Sequence, residues 1–316
     1  MSGQRVRVDD REFTVSNLDK VLFPGDGVTK AELIEHYVRH GEAMLDSIGG
    51  RALSLKRYPD GIDGQSFFQK RPSGHFPDWI TRARVARDGE EGDEYVVADQ
   101  RATLAYLANQ GTIELHTMLV PAHAPDRPDE IIFDLDPSRG APTSVVRRAT
   151  RRCRDLLVEL ELPCRLKSSG SSGFHVHVIL DGTVGAEDAR TFARDAATLL
   201  ARRHPTELTV QVRKARREGR VFVDWLRNSP SQTAIAPYSV RALPGAPVAT
   251  PMDFDELPGT EPRRWTLRTL PRRLAQREDP WATPPQTTDL VQARTALDEA
   301  LAEVERAPDR TRPSDG

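Results

Sequence analysis

Asp134 and Asp136 stand two residues apart at the end of an apolar run, in the stretch IIFDLDPSRG, where Pro137 stops the strand. Alternation in a strand puts Ile131, Phe133 and Leu135 on one face and Ile132, Asp134 and Asp136 on the other. Carboxylates at i and i+2 have Cα atoms about 6 to 7 Å apart, which lets both reach one metal or bridge two metals about 3.5 to 4 Å apart. Unpaired, they repel and one pKa rises. A hard divalent cation, Mg²⁺ or Mn²⁺, removes that repulsion. Alone, the pair reads equally well as a strand running out into solvent. A third acid stands in RVFVDWLRN, where Val221, Val223 and Trp225 alternate with Phe222, Asp224 and Leu226. A lone acid within an apolar strand is costly unless paired or metal-bound, which makes Asp224 a candidate third ligand.

The stretch LKSSGSSGFHVHVIL adds a loop with Gly170, Gly173 and serines ahead of a strand. Small residues there let backbone N–H groups approach a phosphate. In the strand, Phe174, Val176 and Val178 face one way and His175 and His177 the other. Two histidines so placed also suit zinc, but no cysteine or third histidine stands at ligand spacing, so one of them is assigned a phosphate or acid role. His116, alone in the strand IELHTML, reads by itself as structural.

These residues need a scaffold, and the 316-residue chain is long enough for one large or two smaller cored domains. Thr29 and Glu32 form a capping box ahead of one helix carrying Leu33, Ile34, Tyr37, Val38, Met44 and Leu45. The segment 52–70 reads as strand, turn and strand. The segment 82–100 reads as two strands around an acidic turn, and a short helix follows over 101–109. Strands over TIELHTML and EIIFDLD precede a helix from near Thr143. Strands at 165–168 and 174–180, a helix over 186–204, and strands near 208–212 and 220–226 complete a βαββαβ order. The expected fold is α+β, with mixed or antiparallel sheets flanked by helices. A last helix over 289–304 precedes a tail, APDRTRPSDG, that is expected to be disordered.

Two cysteines are too few for a disulfide framework and point to packing. No run approaches a membrane span, and the N-terminus lacks a signal-peptide core, so a cytoplasmic protein is expected. The net charge of −2 is uninformative, but the basic clusters 147–154, 213–220 and 262–277 lean toward a polyanion partner.

The motifs FDLDP, SGSSGFHV and VFVDWLRN, followed by TAIAPYSVRALPGAPVATP, occur in an order that resembles the polymerase domain of bacterial end-joining DNA ligases of the LigD type. That domain belongs to the archaeo-eukaryotic primase superfamily. The resemblance begins at SNLDKVLFP and continues through KRYPDGIDGQSFFQK, ANQGTIELH and EDPWA. It implies a primase-polymerase catalytic domain over 1–283, with an N-terminal part to about 125 and an RRM-like, metal-binding part from about 126. Residues 284–316 are then a C-terminal helix and tail.

By resemblance, Asp134, Asp136 and Asp224 hold two divalent ions, with Mn²⁺ often favoured over Mg²⁺, while Ser169 and His175 bind the triphosphate. His116 falls near the nucleotide's sugar and phosphate, where a 2′-hydroxyl must be tolerated. Lys56, Arg217, Arg227 and Arg241 match basic positions around the nucleotide. Phe67 and Phe68 match a base-stacking pair, although neighbours on a strand point opposite ways, so one of the two also suits the core. Asn17, Lys20 and Lys30 match a pocket for the 5′-phosphate across a gap.

The sequence departs from the family at Ser172, where lysine is common, and at ELHTML, where ELHPW is usual. The implied activity is template-dependent nucleotidyl transfer from NTPs or dNTPs at gapped, nicked or broken DNA. The implied protein is a free-standing, nucleoid-associated monomer working beside a Ku-like end-binding protein and a separate DNA ligase. A primase starting strands without a primer is a close variant. An aspartyl-phosphate phosphatase would need a small residue and Thr after the second Asp, where Pro137 and Ser138 stand. A non-catalytic end binder would not need the three acids.

Overall fold

Ile131, Phe133 and Leu135 are buried to within 1%, and the layer they pack into organises the chain. The computed structural model describes residues 3–87 and 90–306. The strand Glu130–Asp136 lies inside a six-stranded sheet whose order is Leu208–Thr209, Val221–Asp224, Glu130–Asp136, Phe174–Ile179, Arg165–Ser168 and Pro251–Met252. Every pairing is antiparallel except that of Leu208–Thr209 with Val221–Asp224. The four inner strands carry the βαββαβ connectivity expected from the sequence.

Helices Thr143–Glu159 and Ala186–Arg203 contact this sheet. Val146, Ala149, Cys153, Leu156 and Leu157 are buried on the first, and Phe192 with four alanines and two leucines on the second. Each large apolar side chain buried in this layer contributes about 1.5 to 3 kcal/mol. Alternation then leaves Asp134, Asp136, His175 and Lys167 on the opposite face.

A four-stranded antiparallel sheet, ordered Thr233–Ile235, Thr112–Pro121, Arg51–Arg57 and Phe67–Gln69, forms the other half. Its edge strand Thr233–Ile235 comes from beyond residue 126, so the chain crosses back from the second half to complete the first. The expected hairpin over 52–70 is present, with Lys56 opposite Phe68. So are the capping box at Thr29 and Glu32 and the helix Arg101–Asn109. The C-terminal helix Val291–Arg306 packs on Ala186–Arg203, with Leu297 buried and Arg294 paired to Asp195 at 3.0 Å.

Three local expectations need correction. The single helix expected after Thr29 is two, Lys30–Arg39 and Gly41–Ile48. The break at His40 brings Gly41 so close to Arg101 that a Cβ there would lie 2.9 Å from its Cγ. The strand holding Asp224 ends at Asp224 and does not continue through Trp225 and Leu226. The Asp224 carboxylate accepts from Leu226 N–H at 3.0 Å and turns the chain into the short helix Leu226–Asn228. The strand near 208–212 stops at Thr209, whose hydroxyl accepts from Gln211 N–H at 3.1 Å. The tip of the acidic turn at 88–89 and the tail 307–316 lie outside the described residues.

His36 and His40, on the buried side of the first helix and at its break, have rings 4.8 Å apart. Burial holds His36 near pKa 3 and His40 near 4. The unfolded chain takes these protons near pH 6.5, so it binds more protons than the fold between about pH 6.5 and 4. Stability is therefore complete above pH 6.5 and falls as the pH drops. A urea unfolding midpoint clearly lower at pH 5 than at pH 7.5 is expected. His40→Phe, which keeps the ring against Tyr238, should reduce that drop, and an equal drop in the variant would contradict it.

Candidate active site

Asp134 lies directly opposite His175 on one neighbouring strand and opposite Asp224 on the other. Like charges facing across a ladder destabilise it. Burial pushes Asp134 up to about 6, with Asp224 and Asp136 adding to the rise and Arg227 opposing it. Burial also raises Asp224. Arg227 Nε lies 3.5 Å from Asp134 Oδ2 and 3.3 Å from Asp224 Oδ2. Arg217 Nη1 donates to Asp136 Oδ2 at 2.8 Å, and its guanidinium lies 4.0 Å from the Phe222 ring centroid. Two arginines thus compensate three acids that have no sulfur or unhindered imidazole among them. That donor set fits hard divalent ions.

Among the described residues, the one set of three acids with ligand atoms within 4.8 Å of one another is a different one: Asp253, Asp255 and Glu256. Arg277 pairs with Asp253 and Asp255, and Arg273 with Glu256, each at 2.9 Å. Two arginines thus offset most of that cluster's charge.

The loop 169–173 folds on the Ser169 hydroxyl, which accepts from Ser171 N–H at 3.2 Å and Gly173 N–H at 3.1 Å. Its own O–H remains a donor. Gly170 has φ +64°, and Arg241 Nη1 donates to the Ser169 carbonyl at 2.9 Å. Beside the loop lies a cavity of about 740 Å³ lined by Asp136, Ser171, Ser172, Lys214, Arg217 and Arg263, among others. Arg263 Nε donates to the Ser171 carbonyl at 3.0 Å. Four cations and two acids, Asp136 and Glu261, are among the cavity's lining residues. A larger cleft of about 980 Å³ contains none of the candidate residues.

On the second sheet, Lys56, Phe68 and His116 come together. Lys56 Nζ lies 5.6 Å from the Phe68 ring centroid, and Phe68 lies 5.6 Å from His116, edge to face. Phe67 points the other way, under Arg57. Both phenylalanines are exposed, at 46% and 57%, so neither belongs to the core. His116 Nε2 meets Glu114 Oε2 at 2.9 Å, and Arg241 Nε lies 3.3 Å from Glu114 Oε1. Burial acts to raise Glu114, but His116 and Arg241 hold it down at about 2.

Asn17, Lys20 and Lys30 also meet. Lys20 N–H donates to the Asn17 carbonyl and Lys30 N–H to the Lys20 carbonyl. Lys30 Nζ donates to the Ser16 carbonyl at 2.7 Å, while Lys20 pairs with Asp60 at 2.8 Å. Burial and then the Lys20 charge pull Lys30 down to about 8. Lys30 opens the helix Lys30–Arg39, where positive charge and free N–H groups favour an anion.

Sequence reasoning missed Glu114, which ties His116 to Arg241. Its i, i+2 spacing from His116 was the available signal. Lys167, fully buried on the same face as the acids, was missed as well. Several members of the basic clusters are paired within the chain: Arg152 with Glu207, Arg154 with Asp155, Arg268 with Glu32, and Arg273 and Arg277 with acids. Lys214, Arg217 and Arg263 line the cavity, Arg217 while paired with Asp136.

Acids on one face of a βαββαβ sheet, next to a cavity with four cations among its lining residues, suit a primase-polymerase type nucleotidyltransferase. The fold and the similarities that follow place the chain in that class. The family model described as the LigD primase-polymerase domain matches residues 29–281, and the chain belongs to that family. The multifunctional non-homologous end joining DNA repair protein LigD of Mycobacterium tuberculosis is 34% identical over 279 residues, covering 85% of this chain and 36% of the relative. LigD of Pseudomonas aeruginosa is 34% identical over 271 residues, covering 85% and 32%. The chain therefore spans about a third of the length of these relatives. The solved polymerase domain of Mycobacterium tuberculosis ligase D in complex with DNA superposes with a TM-score of 0.79 at 33% identity, covering 85% of this chain and 96% of that one.

Proposed function

We propose that this chain is a template-dependent polymerase that fills short gaps or extends primers at DNA breaks, accepting ribonucleotides as well as deoxynucleotides. The observation that carries the reading is the register of Asp134 against Asp224, with Asp136 beside the cation-lined cavity. Asp134, Asp136 and Asp224 are the residues that would hold divalent ions, Mn²⁺ or Mg²⁺. When bound, such ions supply positive charge at the primer hydroxyl and the leaving pyrophosphate.

The chain's own groups do the rest. The Ser169 hydroxyl and His175 donate to the triphosphate, and Arg217, Arg227 and Arg241 offset its charge. Phe68 stacks on the base beside Lys56, and Phe67 offers a second ring on the other side of its strand. His116, held by Glu114, faces the sugar. DNA binding is supported by the DNA complex of the structural neighbour. A role in end joining is supported by the names of the relatives, and work beside a Ku-like protein and a ligase near the nucleoid belongs to the same proposal. No helix among the described residues is long and apolar enough to cross a membrane.

The test is extension of a gapped duplex with Mn²⁺ or Mg²⁺, comparing ribonucleotides with deoxynucleotides. Templated addition is expected, and absence of addition under all four conditions would refute the proposal. Addition on a template with no primer would identify the primase variant.

Asn17, Lys20 and Lys30 anchor the 5′-phosphate on the far side of the gap, a contact that positions without reading sequence. Lys20→Ala with Lys30→Ala should abolish the affinity preference for a 5′-phosphorylated gap over an unphosphorylated one, measured by fluorescence anisotropy. A preference surviving in a double variant with native circular dichroism would refute this pocket.

A further inference from the structure

Four ionisable side chains stand in one row across the six-stranded sheet. Lys167 is opposite His175, His175 opposite Asp134, and Asp134 opposite Asp224. Lys167 is 0% exposed, and its Nζ lies 2.9 Å from the Ile235 carbonyl and 3.3 Å from His175 Nδ1. Burial pulls Lys167 down to about 7 while the Glu130 and Asp134 carboxylates hold it up; its ammonium form has donors only, so beside that form Nδ1 of His175 accepts. On the other side, His175 Nε2 lies 3.5 Å from Asp134 Oδ1, and a carboxylate favours an N–H there. Both neighbours therefore select the same form, a neutral ring protonated at Nε2. Burial agrees, holding the His175 pKa well below the ordinary value.

His177, two residues on, has the opposite arrangement. Its Nδ1 meets the Glu130 carboxylate at 2.9 Å, so Nδ1 carries its proton. The two histidines that equal spacing makes look like a metal pair are set to opposite tautomers by a lysine and a glutamate.

We propose that Lys167 is a positioning residue that locks His175 as an Nε2–H donor toward the nucleotide's phosphates and keeps its ring lone pair away from the metal-binding acids. This rests on the polymerase reading above. In the other tautomer, Nε2 would turn a lone pair on the triphosphate and compete for a divalent ion. Lys167 does not touch the nucleotide; it acts through His175.

Two measurements decide this. Long-range ¹H–¹⁵N spectra of the histidine-labelled protein, without nucleotide, should show Nε2–H for His175 and Nδ1–H for His177. An Nδ1–H or doubly protonated His175 at pH 7.5 overturns the proposal. In gap filling, Lys167→Met should raise the nucleotide KM about tenfold, the effect of one charge-assisted hydrogen bond, while kcat falls far less. Lys167→Gln, which keeps a donor, should restore most of the loss. In a His175→Gln background, whose amide donates without help, Lys167→Met should add nothing; an additive loss overturns the proposal. Should Lys167→Met not fold, the wild-type spectra and Lys167→Gln decide. Failure of the polymerase reading would show separately, as no extension by the wild type with both tautomers as stated.

Discussion

Asp224→Asn lowers primer extension on the order of a thousandfold and leaves binding of gapped DNA within about twofold, as one phosphate contact is neither added nor removed. Asparagine keeps the acceptor for Leu226 N–H, so the turn after the strand survives. What goes is the charge facing Asp134. Because Asp224 helps raise the Asp134 pKa, its removal relieves repulsion in the metal-free protein. The melting temperature should therefore hold or rise while activity disappears. Asp134→Asn should behave alike. Extension rates, anisotropy and melting temperature on the same preparations form the test, and full extension by either variant removes the metal assignment.

Gly173→Ala has the second large effect, from space rather than backbone freedom. A Cβ at Gly173 would lie 2.0 Å from the Leu135 carbonyl oxygen and 3.5 Å from Pro137 Cδ. Leu135 sits between the two acids of the DxD pair, so Gly173 is where the loop 169–173 abuts the strand that carries them. Its N–H and C=O are both engaged with Ser169, which leaves the loop no easy retreat. Overpacking of this kind costs about 1 to 3 kcal/mol, and the clash here is with backbone. A lower melting temperature together with a nucleotide KM raised at least about tenfold is expected. Ser172→Ala, at an exposed position of the same loop, should leave stability unchanged. A Gly173→Ala enzyme with wild-type KM would show that the loop does not position phosphate.

Much of this site is readable in order along the chain. Alternation alone assigns Asp134, Asp136, His175 and Phe133 to their faces, because a strand's side-chain period is two whatever it pairs with. The capping box and the βαββαβ order follow from equally local signals. The roles proposed for His116, Lys20 and Lys30 rest on the family resemblance, since a lone histidine or lysine in a strand or loop carries no local signature. The end of the strand at Asp224 was not legible, because the side chain's own hydrogen bond to Leu226 overrides the apolar alternation that continues to Leu226.

Composition and pattern by themselves determine which residues share a face and which motifs follow one another. The tertiary structure alone decides that Asp224 faces Asp134 across 90 positions of sequence, that Glu114 joins His116 to Arg241, and that Lys167 rather than an acid lies behind His175. Register between distant strands is set by how their buried faces pack on two helices, a long-range condition that no window of sequence contains.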